Sequence, residues 1–463
     1  MSNAIPNDIR PPLCYIGFDN SKAIIGTAAM PHQILVIGQM LPTGRAEACT
    51  LYPFNDGDEA AALWGRGSLM HGLASQVKGA NRFTQVLGVA LPEAFNLVDK
   101  DYQAAVKTPA VENEGSLMVG FKTPTLEFDV DESEAAEQGW RVSVGNKTAA
   151  LKSFSTQTGF MVIAAGEGLA AADLAVDVSM TLHGVEATAA GVAARGVQRF
   201  IGTALEDAII YLHIAGKPLS ILAQKGDTAA EMAQNITNAV NGDDDFPVRA
   251  ESADGAVTYI AKQTGETGDD IRVVCNYYAG QAFPSGVMTT NISLSGGAGN
   301  PDVSDAISAM ADEWFNHIIM PYRDTANLNA LRDEMTERWG PMKMTEGTAY
   351  LAFSGTHAQT ATFGESRNDF LYSCMGAGSS PTPAYLWAAS YGAVAAYELA
   401  IDPARPLQTL VLPGVLPPPV SERWDLNERN LLLHDGIATH KVDAGGNVMI
   451  EREVTMYRLN SYG

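Results

Sequence analysis

Asp324, His357 and Ser379 or Ser380 occur in the order acid, base, nucleophile used by subtilisin-type hydrolases. In such a set the imidazole takes the serine proton while the carboxylate holds the ring in the productive tautomer. Local context argues against the chemistry. His357 lies in Gly355-Thr356-His357-Ala358, and Ser379 in Gly376-Ala377-Gly378-Ser379-Ser380-Pro381, where Pro381 obstructs a nucleophile placed at a helix start. A loop histidine and a helix-capping serine account for the same residues.

Phosphate and metal chemistry find little more. Gly65-Arg66-Gly67-Ser68 falls inside a predicted helix rather than after a strand, and Gly376-Ala377-Gly378 has no Gly-Lys-Ser/Thr behind it. No HExxH occurs, and a predicted helix end separates His434 from His440. Asp243-Asp244-Asp245 lacks the alternating ligands and closing glutamate of a calcium loop, so it reads as a solvated turn. Cys14, Cys49, Cys275 and Cys374 form no CxxC pair, which points to a reducing compartment rather than a disulfide framework. No cofactor is implied.

The chain has 463 residues, with 53 acidic and 30 basic side chains and a net charge of −23. Phosphate recognition needs clustered Lys and Arg, so a general nucleic-acid binder is excluded. Hydrophobic residues make up 46% and charged residues 18%, enough to bury a large core but low in charge for a free-standing soluble monomer. Part of the surface is therefore expected to face other protein. The N-terminus carries no signal-peptide pattern, and the apolar stretch within 384–397 is shorter than the ~20 residues a bilayer span needs.

The elements that would position these residues read as α/β (α+β overall). Ile34-Leu35-Val36-Ile37 ends at Gly38 like a strand buried on both faces. A helix capped by Asp58 carries Leu63, Trp64, Met70, Leu73 and Val77 to Gly79, and a parallel strand follows at 83–90. From about residue 96 to 300 the texture changes to strands and acidic loops, which hold 13 of the 23 excess negative charges. Within it, a hairpin turns at Gly216-Lys217, a helix capped by Thr228 runs through Met232, Ile236 and Val240, and three strands follow near 248, 257–261 and 271–277. The stretch 115–195 has strand pieces at 126–130, 140–144 and 160–164, which leave open whether it is a domain of its own. A helix bearing Ile307, Met310, Ala311, Trp314 and Phe315 then restores the α/β alternation: strand 317–320, helix 328–339, strands 349–353 and 370–374, helix 382–399. The expected division is arm 1–25, core α/β domain 26–95 and 299–425 with a mainly parallel sheet, inserted β-rich region 96–199, small α+β domain 200–298, and a helix and β-hairpin at 426–463.

Three segments lie outside this scheme. Asp402–Leu410 with Pro417-Pro418-Pro419 reads as a stiffened loop. Leu13–Phe18 is an extended segment with no local partner, and Ile437–Val442 turns into a ten-residue alternation over 448–457. An edge so placed must be covered, which points to strand exchange between subunits; pairing of the two ends within one subunit is the competing arrangement.

At these residues the sequence resembles the contractile tail sheath proteins of Mu-type bacteriophages. The likeness is close in 5–12, 299–302, 320–324, Arg338-Trp339-Gly340-Pro341, Asp402–Leu410, 428–439 and Ile450-Glu451-Arg452. It covers about half the chain, and the runs at 402–410 and 428–439 are the most specific. The resemblance implies a non-enzymatic structural subunit with a subtilisin-like core fold, which accounts for the decoy triad. It implies stacked, hexameric rings around a tail tube and contraction that drives the tube through a bacterial envelope. The implied partners are further copies of the chain, the tube protein, and baseplate and terminator proteins, in a virion tail assembled in the host cytoplasm. The strand-exchange residues it implies are Leu13, Tyr15, Ile16 and Phe18 on the arm, and Ile437, Thr439, Val442, Val448, Ile450, Val454, Met456 and Tyr457 on the accepting hairpin. The chain stops at Ser461-Tyr462-Gly463, where relatives continue into a C-terminal arm; this implies a shortened chain or a mesh lacking one strand. A hydrolase with a subtilisin-like core and an acidic monomeric binding module are the alternatives.

Overall fold

The first described strand, β1 (Gln33–Gln39), carries the continuous apolar run, and Ile34, Leu35, Val36 and Ile37 are all fully buried. The structure, a computed structural model, describes residues 32–92, 95–113, 115–122, 140–155, 159–165, 168–189 and 191–460. The strand expected at Leu13–Phe18 and the piece at 126–130 lie outside these residues. After β2 (Leu51–Pro53) come α1 (Gly57–Trp64) and α2 (Leu69–Ala80), then β3 (Gln85–Leu91), which lies parallel to β1. Periodicity predicts one helix from 58 to 79, but two form. Gly65 and Gly67 take φ of 86° and 80°, left-handed values that end the first helix. Ser68 then caps the second by accepting the His71 amide.

The next six strands close on themselves. β4 (Phe95–Asn113), β5 (Ser116–Lys122), β6 (Arg141–Val144), β7 (Lys147–Ser155), β8 (Phe160–Ala164) and β9 (Ser179–Ala189) form a barrel in the order β4-β5-β8-β7-β6-β9. The long β4 closes it by pairing with β9 over Phe95–Ala105 and with β5 from Ala105 onward. Leu117, Val119, Met161 and Ile163 fill the interior beside Trp140 stacked on Phe154 at 5.7 Å. Closure leaves this unit no free sheet edge.

A second inserted unit follows: β10 (Ala193–Arg199), β11 (Ile201–Gly202), the hairpin β12 (Ala208–Ile214) and β13 (Lys217–Ala223), and α3 (Ala229–Asn241). It is completed by β14 (Val248–Ala253), β15 (Ala256–Thr264), β16 (Arg272–Cys275), β17 (Val287–Met288) and β18 (Ile292–Ser293). Thr228 and Glu231 form a capping box on α3, whose Met232, Ile236 and Val240 are buried as their spacing predicts. Sheets β10-β15-β14 and β13-β12-β16-β18 share one core with that helix.

The chain then returns to the first sheet through α4 (Ser304–Met310), β19 (His317–Ile319), α5 (Thr325–Trp339), β20 (Thr348–Ser354), α6 (His357–Glu365) and β21 (Tyr372–Gly378). Last come α7 (Ala384–Ile401), α8 (Leu426–His434), β22 (Ile437–Val442) and β23 (Val448–Arg452). The resulting mixed sheet has eight strands in the order β2-β3-β1-β19-β20-β21-β22-β23; its inner pairs are parallel, and β2 and β23 lie antiparallel at the edges. Helix α7 is apolar on every side because it lies between α2 and the sheet.

Two expectations need correction. α4 ends at Met310, where Ala311 turns left-handed at φ 41°, so Trp314 and Phe315 leave its face. Trp314 Nε1 donates instead to the Glu346 carbonyl at 2.8 Å, and Phe315 is buried just ahead of β19. The strand predicted over 448–457 stops at Arg452. Beyond it the backbone changes partner, with Ser373 Oγ donating to Val454 O at 2.8 Å and Met456 N to Tyr372 O at 2.8 Å. The alternation marked residues that face the core, although they do not share one ladder.

Candidate assembly interface

The C-terminal hairpin is built by local chemistry. Asp425 and Glu428 form a capping box on α8, and Gly436, at φ 76°, reverses the chain into β22. At the tip, Asp443 N donates to Asn447 O at 3.0 Å, and Asn447 N donates to Asp443 Oδ1 at 2.8 Å. The Asn447 side-chain amide, donating to Asp443 Oδ2 at 2.9 Å, together with the Asn447 backbone amide holds the Asp443 carboxyl below its usual range. Across the hairpin, Arg429 Nε donates to Glu451 Oε2 at 2.7 Å, and Thr439 Oγ1 donates to the same oxygen at 3.1 Å.

The proposed exchange residues are not all at the surface of this subunit. Ile437, Thr439, Val448, Ile450 and Met456 are buried in its own core, Val442 and Val454 are half-buried, and Tyr457 is exposed. Leu13, Tyr15, Ile16 and Phe18 lie outside the described residues. What the hairpin can offer a neighbour is therefore backbone and outward side chains.

The two edges differ. β23 is sealed on its far side by the stretch 409–412: Thr409 N donates to Ile450 O at 2.7 Å, Ile450 N to Leu410 O at 2.8 Å, and Leu412 N to Val448 O at 2.9 Å. Leu407, Leu410, Leu412 and Val415 are buried, and the Pro413 carbonyl accepts from Gln76 Nε2 and Ser390 Oγ, so the segment is anchored. The stiffened loop expected over Asp402–Leu410 overlaps this seal at Thr409 and Leu410. The available signal was the pair Leu410 and Leu412 flanking Val411, a short in-out-in alternation. β22, by contrast, pairs among the described residues with β21 through Ile437 and Ala438, and from Thr439 onward with β23.

The parallel strands of the core sheet also have a crevice where α/β proteins usually hold ligands, beyond their carboxyl ends and between β1 and β19, where the order reverses. Here the second inserted unit fills it. Gln39 Nε2 donates to Thr264 O at 3.0 Å, and Gln263 Nε2 donates back to Gln39 O at 3.0 Å. Arg323 reaches Asp270 beside them at 2.9 Å.

The hydrolase-like residues do not assemble. Asp324 caps α5 and accepts from Asn300 Nδ2 at 2.8 Å, while the ring of His357 meets the Glu428 carbonyl at 3.0 Å rather than a carboxylate. Ser380 Oγ donates to Leu416 O at 2.6 Å and accepts from Thr382 N and Trp387 Nε1. Ser379 and His357 line one hollow, which Asp324 does not reach. Burial raises the thiols of Cys275 and Cys374 to about 11 and about 12, which suits structural rather than reactive cysteines. Among the described residues no cluster of three metal-binding side chains occurs, and no helix is long and apolar enough to cross a membrane.

The fold is a mixed α/β core carrying inserted sheets, and among the described residues the acid, base and serine of the hydrolase order are not brought together. Residues 296–456 match the phage tail sheath protein central domain. The whole chain aligns at 34% identity over 461 residues with the Mu-like prophage FluMu tail sheath protein of Haemophilus influenzae, covering 100% of this chain and 75% of that one. The chain belongs to the phage tail sheath protein family. Solved sheath tail proteins from Desulfitobacterium hafniense (10% identity, TM-score 0.38, 96% of this chain and 75% of that one) and Listeria innocua (10%, 0.36, 94% and 71%) are also similar.

Proposed function

We propose that this tail sheath subunit polymerises as stacked rings around a tail tube, and that the assembled sheath contracts to drive the tube through a bacterial envelope. The observation that carries the reading is the 34% identity, spread over the full chain, to a tail sheath protein. Energy for contraction is stored in a metastable extended polymer, with no nucleotide consumed. The tube, baseplate and terminator proteins are its partners, and assembly takes place in the host cytoplasm.

In this reading the core, 26–95 and 299–425, and the tail, 426–463, make the repeating contacts, while 96–199 and 200–298 face outward with their excess acid. Neighbouring subunits are linked by strand exchange, in which the arm residues Leu13, Tyr15, Ile16 and Phe18 of one copy add to the hairpin of the next. The stretch of β22 from Thr439 to Val442, which among the described residues pairs on one side only, supports this arrangement, because such an edge recruits another strand. Negative-stain microscopy of the purified chain tests the proposal. Tubes or rings are expected from the full chain, and deletion of residues 1–25 should abolish them; a protein that stays monomeric at every concentration overturns it.

A further inference from the structure

Beside the stretch of β22 from Thr439 to Val442 lies a hollow of about 210 Å³ lined by Arg423, Trp424, Arg429, His440, Lys441 and Val442. Arg423 and Trp424 also wall a second hollow of about 530 Å³, where Arg272 of the inserted sheet stands opposite. Together they make a trough with four cationic side chains. Arg429 is neutralised by Glu451 at 2.7 Å. Arg423 spends its Nε on the Pro418 carbonyl at 3.0 Å, and neither Arg272 nor Lys441 has a carboxylate within ion-pair reach among the described residues.

The acids nearby do not close the account. Glu428 is committed to capping α8, accepting the Asp425 amide at 2.8 Å, while Asp270 and Glu422, the latter lining the same hollow, favour the charged form of Arg272 without an ion-pair contact to it. Arg272 is half-buried, and desolvation disfavours its charged form. Ser379 adds a buried Oγ without a hydrogen-bond partner to the same trough. A desolvated cation next to an idle hydroxyl is a costly arrangement that an incoming carboxylate would relieve.

Copies of a chain with net charge −23 repel one another, so a contact that brings an acidic stretch of a neighbour close is favoured where the sign is locally reversed. We propose that the trough between Arg272, Arg423 and Lys441 is the socket for an acidic segment of a second copy of this chain. The inference rests on the assembly reading above and deepens it, because the socket borders the strand edge that reading uses. Strand addition supplies backbone hydrogen bonds with little selectivity, and the socket selects which stretch of the neighbour lies alongside.

The test uses the full chain and two readouts. Zero-length carbodiimide coupling of an assembled mixture of ¹⁴N- and ¹⁵N-labelled protein should join Lys441 to an Asp or Glu of the other isotope. In parallel, sedimentation velocity should show that Arg423→Gln/Lys441→Gln assembles about tenfold less readily at low salt, with the difference fading as salt is raised. Lys441→Arg should assemble normally, and Lys441→Gln alone, which removes no ion pair among the described residues, should melt like the unmodified chain while still assembling less readily. Lys441 linked solely within its own chain, or a double variant that assembles like the parent, overturns the socket while leaving the sheath reading standing. An unmodified chain that never assembles overturns both. Displacement by millimolar inorganic phosphate with no cross-link to a second copy would make the trough a simple anion site and also overturn the proposal.

Discussion

Arg323 and Asp270 join the core sheet to the inserted sheet through an ion pair of 2.9 Å, with side chains 17% and 6% exposed. The guanidinium also lies over the Phe353 ring at 5.2 Å. Asp270 Oδ2 and Arg323 Nη1 are buried without partners, so one contact carries the pair. Such a pair costs much to break and little to replace as a whole.

Asp270→Ala is therefore expected to destabilise the chain by about 3–5 kcal/mol, because it leaves a buried guanidinium uncompensated. The double change Asp270→Leu/Arg323→Met should recover most of that loss. Urea unfolding of the two variants measures both; a single variant as stable as the parent would show that the pair does not bind the two units together.

The stretch 409–412 makes a prediction about exchange. Amides of Ile450 and Leu412 donate into the same short ladder, so both should be protected from deuterium in the unassembled chain, to a degree comparable with β20. Exchange followed by mass spectrometry reads this directly. Fast exchange across 448–452 in the monomer would mean that this edge is open and that the seal forms only on assembly.

The local elements were legible in the sequence because their causes are local. The run Ile34–Ile37, the helix cap at Thr228, and the hairpin turn, which falls at Ala215-Gly216 one residue ahead of the expected Gly216-Lys217, each define an element within a few residues. The barrel was not legible, since its closing pair Phe95 and Ala189 lie far apart in the chain and no short-range pattern encodes that register. The break between α1 and α2 was hidden for a related reason: Gly67 has its backbone against Asp244 of the inserted unit, a tertiary contact. At the candidate interface, alternation found the buried side of the hairpin but could not tell that a loop residue such as Leu410 would cover one edge and leave the other free.

Ser379 and Ser380 invert the expectation for a catalytic nucleophile. Ser380→Ala removes an oxygen with three buried partners and should cost about 1–3 kcal/mol. Ser379→Ala removes a buried hydroxyl with no hydrogen-bond partner among the described residues and should leave stability unchanged or raise it by about 1 kcal/mol. Denaturant titration separates them, and loss of a measurable peptide-cleaving activity in Ser379→Ala would reinstate the hydrolase reading.

Two deeply buried histidines are expected to weaken the fold in acid. Burial lowers His440 to about 4, although the Gly376 carbonyl accepts from its ring at 2.8 Å and Glu451 pulls the other way; Arg429 and Arg423 add to the lowering. Burial likewise lowers His317 to about 3, with His32 Nδ1 facing it at 3.0 Å. In the unfolded chain both titrate near about 6.5, so the unfolded state binds more protons below that pH. Their contribution is complete above about pH 6.5 and is lost as pH falls toward the folded values, at a rate of about 1.4 kcal/mol per pH unit for each residue. Urea titrations between pH 7 and about 4 should show this slope, and His440→Gln and His317→Gln should each flatten it by one proton even though both lower stability at pH 7. Equal slopes in the parent and both variants would mean that other groups set the acid limit.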